Sequence, residues 1–356
     1  MGSFSIAKAE EGVFMNQIKS LSGRTYILDR NHPVGKGGEA QLFNVSNYSG
    51  AVAKLYTPNL CNSHRERKLM AMLQIPLSDE LKTELVWPKD ILYDNNEQLI
   101  GFVMRKVSGG SPLNVIFSDE SNCDLLKRIT VAKNLCVTIN NIHKAGLVIG
   151  DLNPKNILVL ETGLVRIIDT DSFHITDNQG RTFRCEVCVP EYISPKISTV
   201  IPKGETLKTT PLPTYTQESD EYSLAILIFQ LLMNGTHPFT VALAKGNDSD
   251  TPQPADLMKR YNFPYDKCPY GMKLPVYALP FKMLSERLRF MFIKEFSKGK
   301  SISAELWYDA LCDFEKEITR NCKVNLNHKY RKGLYKCPYC DMLRRKEIFF
   351  RSKKKK

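Results

Sequence analysis

Three polar residues near the middle of the 356-residue chain have the types and spacing to do chemistry. Asp151 and Asn156 lie five positions apart in Gly150-Asp151-Leu152-Asn153-Pro154-Lys155-Asn156-Ile157-Leu158-Val159, and Asp169 follows in Val165-Arg166-Ile167-Ile168-Asp169-Thr170-Asp171. An acidic oxygen such as that of Asp169 is what hard Mg²⁺ needs beside nucleotide phosphates. Upstream, Gly35-Lys36-Gly37-Gly38-Glu39-Ala40-Gln41-Leu42 carries glycines that let backbone amides approach phosphate without a Cβ clash. Taken alone, the run reads as an ordinary hairpin turn. Lys54 closes the small-apolar run Val52-Ala53-Lys54, from where an ammonium can reach α- and β-phosphates. Its flexible stem needs a carboxylate; Glu66 is the first candidate, with Glu80 and Glu84 as alternatives. Holding polyphosphate, binding metal and accepting a hydroxyl proton are the tasks of phosphoryl transfer.

A second cluster lies near the C-terminus. Cys337-Pro338-Tyr339-Cys340 is a C-x-x-C knuckle, and Cys322 and His328 upstream complete a Cys₃His set with gaps of five, eight and two residues. Zn²⁺ takes four such donors in tetrahedral closure, and a segment this short scarcely folds without it. The gaps match no standard finger, and free surface thiols are the plainer alternative. Cys185-Glu186-Val187-Cys188 has no obvious partner pair; loop packing is its default reading, with disulfide or metal control as the alternative.

These groups need elements to hold them. Leu42-Phe43, Ala51 to Leu55 and Gly101 to Val107 are strand-like, and His64 to Leu73 reads as a helix stopped before Pro76. Beyond Gly109-Gly110 the spacing turns helical, with Leu126, Ile129, Ala132, Leu135, Cys136, Ile139 and Ile142 largely three and four apart. Leu284 to Phe296 and Ala304 to Ile318 also look helical. Residues 196–218 are rich in Pro, Thr and Lys and read as a loop; 240–275 stay unassigned, as do 1–20. A strand-rich part followed by a helical part predicts an α+β fold.

Composition sets bounds. The longest apolar run, Leu224 to Met233, is about half a membrane span and reads as a buried helix. Lys8, Glu10 and Glu11 interrupt any secretory signal, and Ile6 stands where myristoylation wants Ser or Thr. A cytoplasmic protein without membrane attachment is expected, with its ten cysteines as thiols or metal ligands. The net charge of +12 decides little, because Lys353 to Lys356 supply a third of it.

Around Asp151 the sequence resembles the protein kinase superfamily, whose catalytic loop reads H-R-D-x-x-x-x-N. The resemblance covers roughly residues 21–315, with elements in family order. It implies a bilobal kinase-like fold: N-terminal extension 1–20, N-lobe 21–107, C-lobe 108–315, then a zinc-binding module 316–346 and a basic tail 347–356. It implies Asp151 as catalytic base, Lys54 and Glu66 as the phosphate-orienting pair, and Asn156 and Asp169 as Mg²⁺ (or Mn²⁺) ligands. ATP would then meet Gly35, Lys36, Gly37, Gly38, Leu42, Ala53, Lys54, the gatekeeper Met104, the hinge Arg105, Lys106 and Val107, together with Asn156, Leu158 and Asp169. Val189 to Pro195 resembles the end of an activation segment, and Asp220 in Asp220-Glu221-Tyr222-Ser223 the residue that braces the catalytic loop.

The departures from the family are specific. Ile149-Gly150 replaces His-Arg, so loop phosphorylation, which that arginine would hold, is not expected to be an obligatory switch. Lys155 stands four residues after Asp151, where it could neutralise the γ-phosphate, while Asn153 takes the place of the usual lysine. Thr170-Asp171 replaces Phe-Gly, and Asp171 is read as a residue tolerant of unusual backbone angles or as extra metal-site charge. Lys196 replaces a terminal glutamate, and Ser301 its arginine partner, which reads as a variant bridge.

The resulting expectation is an ATP-dependent kinase acting on Ser/Thr hydroxyls of proteins, including its own. Asp-Thr-Asp-Ser-Phe and the Cys/His tail look similar to bacterial eukaryotic-type Ser/Thr kinases of stress and tellurite-resistance gene groups. That likeness implies a PP2C-type phosphatase and a von Willebrand A-domain protein as partners. A nucleotide-binding pseudokinase scaffold stays open, as does a nucleic-acid-binding role for the tail, where Tyr330, Tyr335 and Tyr339 lie among basic residues.

Overall fold

The computed structural model describes residues 17–117, 123–201, 207, 209–244 and 250–353. The expected extension 1–20 therefore lies outside the described residues up to 16, and the basic tail does so from 354. The chain gathers into two compact units. One comprises 17–108 with Ile168–Asp171 and Ile175–Phe183; the other comprises 109–167, Ser172–His174 and the described residues from 184 on.

In the first unit, β1 (Gln17–Ser20), β2 (Thr25–Lys36), β3 (Ala40–Val45), β4 (Ala51–Tyr56), β5 (Pro88–Tyr93) and β6 (Leu99–Arg105) form a closed barrel in the order β1-β2-β3-β4-β6-β5. β1 closes it by pairing Lys19 with Tyr93 and Ser20 with Leu92, so the sheet begins inside the segment expected to precede it. Closure leaves no unpaired edge. Ile18, Leu28, Phe43, Ala53, Leu92 and Val103 fill part of the interior. Among them the buried Asp90 accepts hydrogen bonds from Ser22 Oγ (2.5 Å) and Tyr26 Oη (3.1 Å), which satisfies an otherwise costly charge. The expected helix is α1 (Ser63–Gln74); the Asn62 side chain caps it by accepting the Arg65 N–H. A short α2 (Asp79–Glu84), capped by Ser78, was not foreseen. A six-residue helix shows too few turns for its periodicity to be read.

The second unit is built on α3 (Leu125–Lys144), α4 (Gln217–Leu232), α5 (Glu286–Phe296) and α6 (Ala304–Glu317); three match the predicted helices within a few residues, while α4 starts seven residues before the apolar run that predicted it. α4 starts with a Thr216–Ser219 capping box, and from Leu224 to Met233 it is buried on all sides, as its unbroken apolar run required. Phe229, Phe263, Phe292 and Phe296 interlock there, mostly edge to face. A three-stranded sheet is made of β7 (Gly110–Pro112), β8 (Ile157–Leu160) and β9 (Val165–Ile167), the last ending two residues before Asp169. The two-stranded ribbons β12–β13 (Ala242–Leu243 with Met272–Lys273) and β14–β15 (Arg320–Asn321 with Lys329–Tyr330) complete the sheets of this unit, while β10–β11 (Ile175–Thr176 with Thr182–Phe183) belongs to the first. The 196–218 segment is not all loop, because Pro195–Ser198 forms one helical turn. α7 (Pro338–Lys353) ends the description, so the start of the expected tail is helical.

Candidate active site

In the second unit, Asp151 and Asn156 share one tight turn. Asn156 Nδ2 donates to the Asp151 carbonyl (3.0 Å) and to its carboxylate Oδ2 (3.1 Å). Between them Pro154 opens a 3₁₀ turn over Pro154–Asn156, and the Asn153 side chain caps it by accepting the Lys155 N–H. Lys155 itself is exposed on this turn, and Leu158 is half-buried on β8. Asp220, fully buried at the first turn of α4, accepts the N–H groups of Ile149 (2.7 Å) and Gly150 (2.9 Å), while His143 Nε2 lies 3.2 Å from its Oδ2. The loop is thus pinned from below by a carboxylate three-fold satisfied in the interior. Gly150 has φ +80°, and a Cβ there would lie 2.7 Å from Cys185 Cβ. The arginine of the family loop has no room in this chain.

Cys185 donates its thiol to the Val187 carbonyl, and neither Cys185 nor Cys188 is in a disulfide. Burial, with Asp151 and Glu191 nearby, pushes the Cys188 thiol up to about 11, which makes it a poor nucleophile. Packing, the default reading of this pair, is what the geometry supports. Lys196 pairs with Glu218 (2.6 Å), whereas Ser301 bonds Glu221 (2.5 Å). The replaced ion pair has become two separate contacts.

In the first unit, Lys54 is the buried charged residue of β4. Gly101 on β6 permits the strand to pass so close that a Cβ would lie 2.0 Å from the Lys54 carbonyl oxygen. Lys54 Nζ lies 3.1 Å from Asp169 Oδ1 and 2.7 Å from Asp171 Oδ1. Asp169 holds φ +55° and keeps about half its side chain exposed, while Asp171 is buried. Asp171 Oδ2 also accepts from Tyr56 Oη (2.9 Å) and faces Arg65 Nη1 (3.8 Å). Burial pushes the Lys54 ammonium down, but the Asp171 and Asp169 carboxylates outweigh it and hold the pKa above the lysine range. Burial likewise raises Asp171, yet Lys54 draws it below the usual carboxylate range.

The expected Lys54–Glu66 pair is corrected here. Glu66 Oε1 accepts from Tyr93 Oη (2.8 Å), and α1 turns Arg65, not Glu66, toward the Lys54 carboxylates. The reason is register: adjacent helical residues point about 100° apart, so one helix cannot aim both at the same spot. Neither Glu80 nor Glu84 is a partner of Lys54. Tyr56 and Arg65 are the residues sequence reasoning missed; Asp171, read there as tolerant of unusual backbone angles or as extra metal-site charge, pairs with Lys54 instead, and Asp169 is the residue with positive φ.

Gly35 and Lys36 end β2, and Gly37 N–H donates to the Ala40 carbonyl (2.9 Å), so the glycine run is a hairpin tip with Gly37 and Gly38 exposed. Leu42 is half-buried and Ala53 fully buried beside it. Met104 is buried on β6, and Arg105 pairs with Ala51. The Lys106 amide donates to the Gly50 carbonyl (2.9 Å), and its ammonium to Asn44 (2.9 Å). That amide is committed to the sheet; Val107 follows half-buried.

The C-terminal cluster assembles as expected. The donor atoms of Cys322, His328, Cys337 and Cys340 lie within 4.8 Å of one another. Cys322 Sγ is 3.5 Å from Cys340 Sγ, and His328 Nδ1 is 3.7 and 3.5 Å from Cys337 Sγ and Cys340 Sγ. Tetrahedral Zn²⁺ with its usual bond lengths spaces such donors about 3.5–3.8 Å apart. The residues therefore fit a small zinc-binding module. Tyr339 stacks on His328 at 5.0 Å, and both Tyr339 and Tyr330 are buried. Of the three tyrosines considered for base stacking, Tyr335 alone is exposed.

A mixed α/β chain with an Asp–Asn loop pinned by a buried helix carboxylate defines the class. The protein kinase domain family matches residues 31–271, and the chain belongs to that family. It is 29% identical over 351 residues to "Protein kinase YegI" of Escherichia coli (strain K12), covering 94% of this chain and 51% of that protein. The corresponding protein of Escherichia coli O157:H7 is 29% identical over 335 residues, 89% of this chain and 49% of that protein. These likenesses place it among bacterial kinases. A probable serine/threonine-protein kinase of Dictyostelium discoideum is 27% identical over 184 residues, 48% of this chain and 25% of that protein. The chain spans about half the length of the bacterial relatives. Among the described residues no helix is long and apolar enough to cross a membrane.

Proposed function

We propose that the chain is an ATP-dependent protein kinase that transfers the γ-phosphate to Ser or Thr hydroxyls of proteins, its own included. The observation that carries this reading is the Asp151–Asn156 turn held by Asp220, in a chain of the kinase family. Asp151 orients and deprotonates the acceptor hydroxyl, a positioning role that accounts for most of protein catalysis in phosphoryl transfer. Lys155, exposed on the same turn, offers positive charge to the transferring group. In the first unit, Lys54 orients the phosphates and the hairpin tip at Gly37–Gly38 offers backbone amides. Asn156 and the half-exposed Asp169 supply the hard oxygens that suit Mg²⁺, which when bound neutralises charge on the phosphates. Cys322, His328, Cys337 and Cys340 hold Zn²⁺ in a structural role.

The test is incubation with labelled ATP and a generic protein substrate. Wild type is expected to label itself and the substrate, with Lys54→Ala, Asp151→Ala and Asp169→Ala each reducing transfer at least a hundredfold. Transfer that survives Asp151→Ala would sink the reading. ATP binding without transfer in the wild type would make the chain a pseudokinase.

A further inference from the structure

We infer that Asp171, not a glutamate of helix α1, is the positioning residue that fixes Lys54 for phosphate contact. This deepens the kinase reading above and rests on it. The phosphate-contacting lysine of a kinase must be tied to a carboxylate, ordinarily one supplied by a mobile helix. Here Asp171 lies 2.7 Å from Lys54 Nζ and is buried, whereas Asp169, at 3.1 Å, keeps half its side chain exposed. The two acids differ in setting: Asp169 keeps solvent contact, and Asp171 is buried against the lysine.

Asp171 is over-determined in that place. Its second oxygen takes the Tyr56 hydroxyl at 2.9 Å, and Arg65 lies 3.8 Å away, stacked over the Tyr56 ring at 4.7 Å. Arg65 also lies 3.8 Å from Glu39 beside the glycine tip. The helix therefore brings a cation where a carboxylate is customary, and Glu66 is bonded to Tyr93 instead. Because Asp171 sits two residues after Asp169, the lysine anchor and the metal carboxylate are set by one short segment. Lys54 is held without any movement of α1.

The experiment compares Asp171→Asn with Glu66→Gln in the full chain, with thermal unfolding as a folding control. Asp171→Asn is expected to lower kcat/KM for ATP at least tenfold more than Glu66→Gln does, mostly through KM. In a Lys54→Met background, where residual transfer permits, it is expected to add less than a threefold further loss. A second readout needs no transfer: the pH midpoint for acylation of Lys54 by a small amine-reactive reagent. That midpoint falls in Asp171→Asn and stays in Glu66→Gln. A fall in Glu66→Gln overturns the inference even if Asp171→Asn does not fold, and so does an Asp171→Asn loss that multiplies fully with Lys54→Met. If the wild type transfers no phosphate, the kinase reading fails while the acylation midpoint still decides on Asp171.

Discussion

Gly150 stands beside Asp151 with its backbone in the left-handed region and Cys185 pressed against the space where a side chain would begin. Left-handed backbone costs an L-residue about 1–2 kcal/mol, and overpacking a filled interior adds about 1–3 kcal/mol. Gly150→Ala is therefore expected to destabilise the protein by about 2–5 kcal/mol in denaturant titration, and a result within about 0.5 kcal/mol of wild type would contradict it. The loss of the family arginine is thus built into the packing, since Cys185 and Tyr215 occupy its room. The same economy governs Asp171: one substitution in Asp-Thr-Asp supplies both the lysine's anchor and a partner for Tyr56.

At the level of elements, His237 joins the end of α4 to the segment that resembles an activation-segment terminus. Its Nδ1 accepts the Phe239 N–H (3.3 Å), so Nε2 carries the proton and donates to the Glu191 carbonyl (2.8 Å). Burial opposes the charge and outweighs the hydrogen bond to the Glu191 carbonyl, which favours it, so the pKa is lowered to about 4. The unfolded chain takes up this proton near pH 6.5 and the folded one only near 4, so stability falls with pH across that window and levels off below it. Acidification from pH 7 to 4 is expected to cost about 3 kcal/mol through this one residue. His237→Gln should flatten that part of the stability profile; an unchanged slope would contradict the assignment. The Lys196–Glu218 pair nearby is more than half exposed on both sides and adds little.

For the whole chain, the Cys/His module acts as a staple on the second unit. Arg345 reaches the carbonyls of Val276 (3.0 Å) and Ala278 (2.9 Å), Arg331 that of Lys282, and Lys329 pairs with Asp124 (2.9 Å). A segment of this size has too small a core to order itself, so its contacts are expected to depend on a bound metal. About one zinc per chain is expected on metal analysis. Chelation, or Cys337→Ser with Cys340→Ser, is expected to remove amide-exchange protection from 320–346 while α4 stays protected. Full protection after metal removal would show that packing alone suffices.

The fold class, the four long helices of the second unit and the Cys₃His donor set were legible in the chain because each is a matter of spacing. Apolar residues three and four apart, an unbroken apolar run and a C-x-x-C knuckle constrain local geometry before any tertiary contact exists. The barrel was not legible: its closing strand Gln17–Ser20 is four residues long, and its pairing with β5 joins positions more than seventy apart. The lysine's partner was decided the same way. Sequence could name three glutamates and note an odd aspartate, but Asp171 lies 117 positions from Lys54, and only folding sets which carboxylate is buried beside it. Periodicity specifies an element; long-range pairing, with its cost in chain entropy, specifies which charges meet.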